Sequence, residues 1–161
     1  MHYVFVYGTL KRGFYNHKKY MQIAETKGTV IYITSACTCS SYPMILSPIR
    51  NVPVVLWQAG TGDNIHGEIY CIPDTALQAL DGLEGIAIGF YKRKLIEISN
   101  FHEKCWIYVQ DDKTVANHLN DMSMYKEYTQ EMHVLYSPVD DKVNEQWMEW
   151  MLQEDITESQ E

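Results

Sequence analysis

The stretch Val4-Phe5-Val6-Tyr7-Gly8-Thr9-Leu10-Lys11-Arg12-Gly13 decides how the rest of the chain is read. Apolar, β-branched and aromatic residues fill Tyr3 to Tyr7, the types that suit a pleated surface, so a strand is predicted over residues 2–7. Gly8 ends it. Glycine has no Cβ, so a ligand or another backbone can come close there. The turn after Gly8 can aim several backbone N–H groups at one point, a geometry that holds an anion. Lys11 and Arg12 add positive potential. Taken alone, the same residues also fit an ordinary strand-to-turn junction with two solvated basic side chains. A P-loop is excluded, because Gly13 is followed by Phe14-Tyr15 and no Gly-Lys-Ser/Thr appears.

Outward from this stretch, Asn16 to Ala24 reads as a short helix with Asn16 as its N-cap. Gly28 to Cys39, rich in Thr, Val, Ile and Tyr, reads as a long strand, and Tyr42 to Leu46 as a short one with Pro43 near its start. Val54–Gln58 and Ile65–Ile72 read as two strands of a hairpin joined by Gly60-Thr61-Gly62-Asp63-Asn64. Asp74 caps a helix to Leu83 whose apolar face is Ala76, Leu77, Leu80 and Leu83, with Gly85 placed to end it. Further strands are read over Phe90–Ile98 and Lys104–Gln110. Val115, Leu119 and Met122 make a weak helical stripe. In residues 139–153, Val143, Trp147, Trp150 and Met151 fall on one face of an amphipathic helix. That helix can pack on the body, serve a protein partner, or act as a lid. Residues 154–161 are expected to be disordered.

Many short strands with few helices predict an α+β fold around a small curled or barrel-like mixed sheet. The 161 residues suffice for one domain with its own core, 1–138, followed by the appended helix. Acids outnumber bases 21 to 13, but residues 140–161 hold eight of the acids and one of the bases. The body is therefore near neutral, which argues against nucleic acid or an anionic membrane as partner. Cys37, Cys39, Cys71 and Cys105 show no CxxC spacing, and the histidines no HExxH, so core thiols are expected rather than a metal site. No run is long and apolar enough to span a membrane, and the N-terminus lacks a signal peptide's pattern, so a cytoplasmic protein is expected.

Glu84 breaks the rules of helix design. It falls in the last predicted turn, at the negative end of the helix dipole, three residues after Asp81. Both effects favour a raised carboxyl pKa, as a general base near neutral pH requires. A surface carboxylate at a frayed helix end fits the same residues.

Read together, Tyr7-Gly8-Thr9-Leu10-Lys11 and Leu80-Asp81-Gly82-Leu83-Glu84-Gly85, with Phe90-Tyr91-Lys92-Arg93 beyond, resemble the γ-glutamyl cyclotransferase-like (AIG2-like) family, nearest its γ-glutamylamine branch. Asn16-His17, Tyr42-Pro43, Asn51-Val52-Pro53, Gly67-Glu68-Ile69-Tyr70, Ile107-Tyr108 and Leu135-Tyr136-Ser137-Pro138 continue the match to residue 138. Thr9 favours the γ-glutamylamine branch over the glutathione-degrading one. The resemblance implies a barrel-like sheet with the site at one mouth and Glu84 as catalytic residue. It also implies a substrate held by Tyr7, Gly8, Thr9 and Leu10, with Tyr91 and Tyr136 as further contacts. Arg93 shares Tyr91's strand face and reads as structural; His17 reads as a cap or surface residue. The implied reaction closes a γ-glutamyl group into 5-oxoproline, with no metal or cofactor. A cyclotransferase for other γ-glutamyl compounds, or a non-catalytic binding protein acting through its acidic C-terminal helix, are the alternatives.

Overall fold

The computed structural model describes residues 1–48, 51–84, 91–119 and 121–136. The helix and tail expected after residue 138, and the helix-ending role of Gly85, lie outside the described residues.

Strand β1 (His2–Val6) is central. It lies antiparallel to β5 (Asp63–Ile72), with His2 opposite Ile72 and Val6 opposite Glu68, and parallel to β7 (Cys105–Val109). The edges are β2 (Ile31–Tyr42), beside β5, and β6 (Lys92–Ile96), beside β7. The five-stranded order is β2-β5-β1-β7-β6. The sheet curls until its edges meet: Thr38 bridges Ile98, the Cys39 N–H donates to the Glu97 carbonyl at 3.2 Å, and the Ser99 N–H donates to the Cys37 carbonyl at 2.9 Å. The predicted barrel-like mixed sheet is present. Its curl depends on Gly67, where any Cβ would run into the Val6 carbonyl and the Phe5 ring.

Alternation along β1 explains its unbroken apolar sequence, because both faces are buried. Phe5 and Tyr7 point into the barrel with Ile65, Ile69, Ile96 and Ile107. Val4 and Val6 point outward into a second cluster with Tyr70, Ala24, Leu77 and Leu80. A π-helical turn (His17–Met21) running into α1 (Gln22–Thr26) contributes Tyr20, Met21 and Ala24 to that outer cluster, and α2 (Asp74–Leu83) contributes its predicted apolar face.

Several expectations need correction. Val54–Gln58 and Ile65–Ile72 do not form a hairpin. β4 (Pro53–Val55) pairs with β3 (Met44–Leu46), while β5 inserts between β1 and β2. The turn is confined to residues 59–62, with Gly60 and Gly62 at positive φ, because Asp63 and Asn64 already belong to β5, and it joins strands of different sheets. Asn16 is already helical in φ and ψ and caps nothing with its side chain. Pro73, in extended conformation, is the N-cap of α2; Asp74 is its first residue and pairs with His2. Of the four thiols, only Cys105 is fully buried, and Cys39 is exposed. The weak stripe is met only in part: α3 (Lys113–Leu119) places Leu119 against the core, but Val115 is exposed, Ala116 is buried in its stead, and Met122 packs from beyond the helix. A last short helix, α4 (Gln130–His133), is capped by the Thr129 side chain. Among the described residues no helix is long and apolar enough to cross a membrane.

Candidate active site

The turn after β1 is closed by the Lys11 N–H donating to the Gly8 carbonyl at 3.0 Å, and the Thr9 carbonyl accepts from the His17 N–H at 3.0 Å. The N–H groups of Gly8, Thr9 and Leu10 donate to no described residue. Gly8 and Leu10 are buried. Buried backbone donors are nearly always paired, so a run of three without an acceptor among the described residues, two of them buried, is a candidate cradle for an anion. Gly8 is required there for packing: a Cβ would sit 2.5 Å from the Pro53 ring. Among protein atoms the close neighbour is thus a side chain rather than another backbone.

Glu84 is the residue at which α2 stops. Its N–H still bonds the Leu80 carbonyl at 2.9 Å and its backbone stays in the right-handed region. Its charge acts on two buried tyrosines. Burial first, and Glu84 second, push the Tyr7 hydroxyl far above its ordinary pKa. Burial, then Asp81, then Glu84 do the same to Tyr108. Glu84 therefore lies within electrostatic reach of the Tyr7 and Tyr108 hydroxyls.

Around this pair, each predicted side chain has a definite place. The Tyr7 hydroxyl donates to the Tyr108 carbonyl at 2.6 Å and accepts from the Val55 N–H at 3.3 Å, so the Tyr7 side chain braces the barrel. Tyr91 is buried and donates to the Pro53 carbonyl at 3.4 Å, backing the ring that packs on Gly8. Tyr136 reaches the turn through Asn16, whose Nδ2 donates to the Thr9 hydroxyl at 2.7 Å and the Tyr136 hydroxyl at 2.9 Å. Arg93 pairs with Asp81 at 3.2 Å and covers the Trp106 ring, the structural role expected of it.

Three assignments change. Asp81 also accepts from the Tyr108 hydroxyl at 2.7 Å. With Arg93 beside it, its charge is compensated, and the predicted repulsion of Glu84 is weakened. His17 is buried and paired with Glu25 at 2.9 Å, neither cap nor surface. Lys11 is buried rather than solvated and donates to the Tyr128 carbonyl at 2.8 Å. Asn16 was missed as a clamp; its only sequence signal is the pair Asn16-His17. Among the described residues no group of three His, Cys, Asp or Glu is placed to hold a metal.

A glycine turn with free-standing main-chain donors after β1 and a carboxylate at the end of α2, on a curled mixed sheet, are the features compared with known proteins. The chain belongs to the γ-glutamyl cyclotransferase, AIG2-like family, which it matches over residues 4–131. It is 35% identical over 98 residues to rat γ-glutamylaminecyclotransferase, covering 61% of this chain and 64% of that protein. It is 37% identical over 95 residues to zebrafish γ-glutamylaminecyclotransferase B, covering 59% of this chain and 48% of that protein. The chain thus spans about half to two thirds of the length of these relatives. The crystal structure of a mouse AIG2-like protein superposes with a TM-score of 0.74 at 28% identity, covering 87% of this chain and 97% of that one.

Proposed function

We propose that this protein is a γ-glutamylamine cyclotransferase: it folds the γ-glutamyl group of a γ-glutamylamine onto itself and releases 5-oxoproline and a free amine, such as lysine from γ-glutamyl-ε-lysine. The observation that carries this reading is the run of three N–H groups at Gly8, Thr9 and Leu10 that donate to no described residue, with Glu84 within electrostatic reach of the Tyr7 hydroxyl. Family membership and the relatives' names support it.

In this reaction the substrate α-carboxylate accepts from the cradle. Glu84 takes a proton from the α-ammonium, and the freed amine attacks the γ-carbonyl carbon. A C–N bond forms to close the five-membered ring; the original amide C–N bond breaks. Two protons leave the α-nitrogen and two reach the departing nitrogen, so no net proton is consumed, and Glu84 is the carrier. Holding the chain folded supplies a large share of the rate, because ring closure is a problem of proximity. Arg93 and Tyr108 hold Asp81, leaving Glu84 as the base.

The test is to incubate the purified chain with a panel of γ-glutamylamines, γ-glutamyl amino acids and glutathione and to measure 5-oxoproline, with and without a chelator. The expected result is chelator-resistant release from γ-glutamylamines. Release only from γ-glutamyl amino acids moves the chain to another branch, and a folded protein inert on the whole panel overturns the enzymatic reading.

A further inference from the structure

A cavity of about 280 Å³, not lined by Glu84, is bordered by Lys11, Ser35, Cys37, His66, Glu68 and Glu127. His66 and Glu68 share the outer face of β5 with Tyr70 and Ile72. They stand on the β2–β5 side of β1, whereas Tyr108 and Asp81 stand on its β7 side. Ala36 and Gly67 complete the wall with little side-chain bulk.

Its chemistry is unusual for a surface hollow. Lys11 is only 7% exposed. An ammonium carries three N–H donors, yet the protein acceptor of Lys11 among the described residues is a single carbonyl, that of Tyr128, with the Phe14 ring 4.9 Å away. Burial draws its pKa down, while Glu127 and Glu68 favour the charged form. Glu68 is held in place by the Arg12 N–H at 2.8 Å and the Tyr70 hydroxyl at 3.2 Å. Glu127 is exposed. One buried cation and two carboxylates thus border a space near the small end of the range for ligand pockets, about 300 Å³. A lone anion would meet the carboxylates, and a lone cation would meet Lys11. A small molecule bearing both charges satisfies all three.

We propose that this cavity binds a zwitterionic α-amino acid, its carboxylate on Lys11 and its ammonium on Glu127 and Glu68. The assignment is independent of the cyclotransferase reading, and its test does not use turnover. The full chain, labelled with ¹⁵N, is titrated with glycine, with acetate and with methylamine. Glycine is expected to shift the amides of residues 35–37 and 66–68 saturably, and each half-ligand to bind at least about tenfold more weakly, since charge-assisted hydrogen bonds are the strong ones. Glu127→Gln, at an exposed position where folding is not at stake, is expected to weaken glycine by about tenfold, and Lys11→Met by at least as much. Absence of saturable shifts at these amides overturns the proposal. So does acetate binding as tightly as glycine, or unchanged glycine affinity in Glu127→Gln.

Discussion

At the scale of single residues, the candidate site divides into groups readable from neighbours in sequence and groups that are not. Glu84 is of the first kind: a carboxylate at a helix end, near a glycine, breaks local rules and so draws attention. Replacing it with Gln keeps the shape but removes the proton acceptor. Turnover is expected to fall by at least about 10²-fold with KM little changed, because the cradle is main chain; steady-state kinetics on a γ-glutamylamine decide it. Asn16 is of the second kind. Its partner Tyr136 lies 120 positions away, and no local pattern announces such a bond. His133 is similar. Its Nε2 accepts from the Tyr15 N–H at 3.0 Å, and its Nδ1 lies 2.8 Å from the Tyr128 hydroxyl. Both bonds suit a neutral ring. Burial, then the charge of Lys18, hold its pKa below the ordinary histidine value. The unfolded chain therefore binds a proton more readily, and stability falls as pH drops through and below about 6.5. Between pH 7 and pH 5.5 the Tm is expected to decline more steeply in the native protein than in His133→Gln. Equal slopes would remove His133 from the account.

At the scale of elements, strand and helix positions follow from alternation and periodicity, while pairing does not. β1, β5 and β7 were legible because apolar and β-branched residues mark them. The false hairpin arose because a glycine-rich turn looks alike whether it joins partners or strands of different sheets. β5 pairs instead with β1, about sixty residues away, and with β2. The end of α2 illustrates the same limit. Its apolar face was plain, but the Arg93 that neutralises Asp81 comes from β6. Asp81→Asn removes this partly exposed ion pair while leaving an oxygen to accept from Tyr108. The expected loss is about 0.2–1 kcal/mol of stability, read by chemical denaturation, with a much smaller drop in turnover than Glu84→Gln causes. If Asp81→Asn abolished turnover in a folded protein while Glu84→Gln retained it, the carboxylate at position 81 would be the base.

At the scale of the whole molecule, the buried apolar core runs from Val4 to Tyr128, and the family match ends at residue 131. Beyond residue 131 the segment is held through His133, which bonds Tyr15 and Tyr128, through the Leu135 carbonyl, which accepts from Asn51 at 3.1 Å, and through Tyr136, which reaches Thr9 by way of Asn16. This separates two truncations that otherwise look alike. A chain ending at residue 138 keeps the core, the cradle, Glu84 and the Asn16–Tyr136 bond. It loses eight acids and one base, leaving 13 acids against 12 bases. It is expected to fold with nearly the native Tm and to keep its turnover, but to associate more readily near neutral pH, because little net charge remains to hold molecules apart. A chain ending at residue 134 has the same charge balance and also keeps the core, but it lacks Tyr136 and the Leu135 carbonyl that accepts from Asn51. Asn16 is 5% exposed, and losing one acceptor leaves a nearly buried donor unsatisfied, a change on the order of 1–3 kcal/mol. The effect falls on the neighbour of Thr9, so the shorter chain is expected to show a raised KM beyond any change in Tm. Melting curves and kinetics on both truncations, beside the full chain, separate the contributions. Loss of turnover in a well-folded chain ending at residue 138 would mean that residues 139–161 complete the site, and the C-terminal segment would then be assigned as part of the catalytic unit.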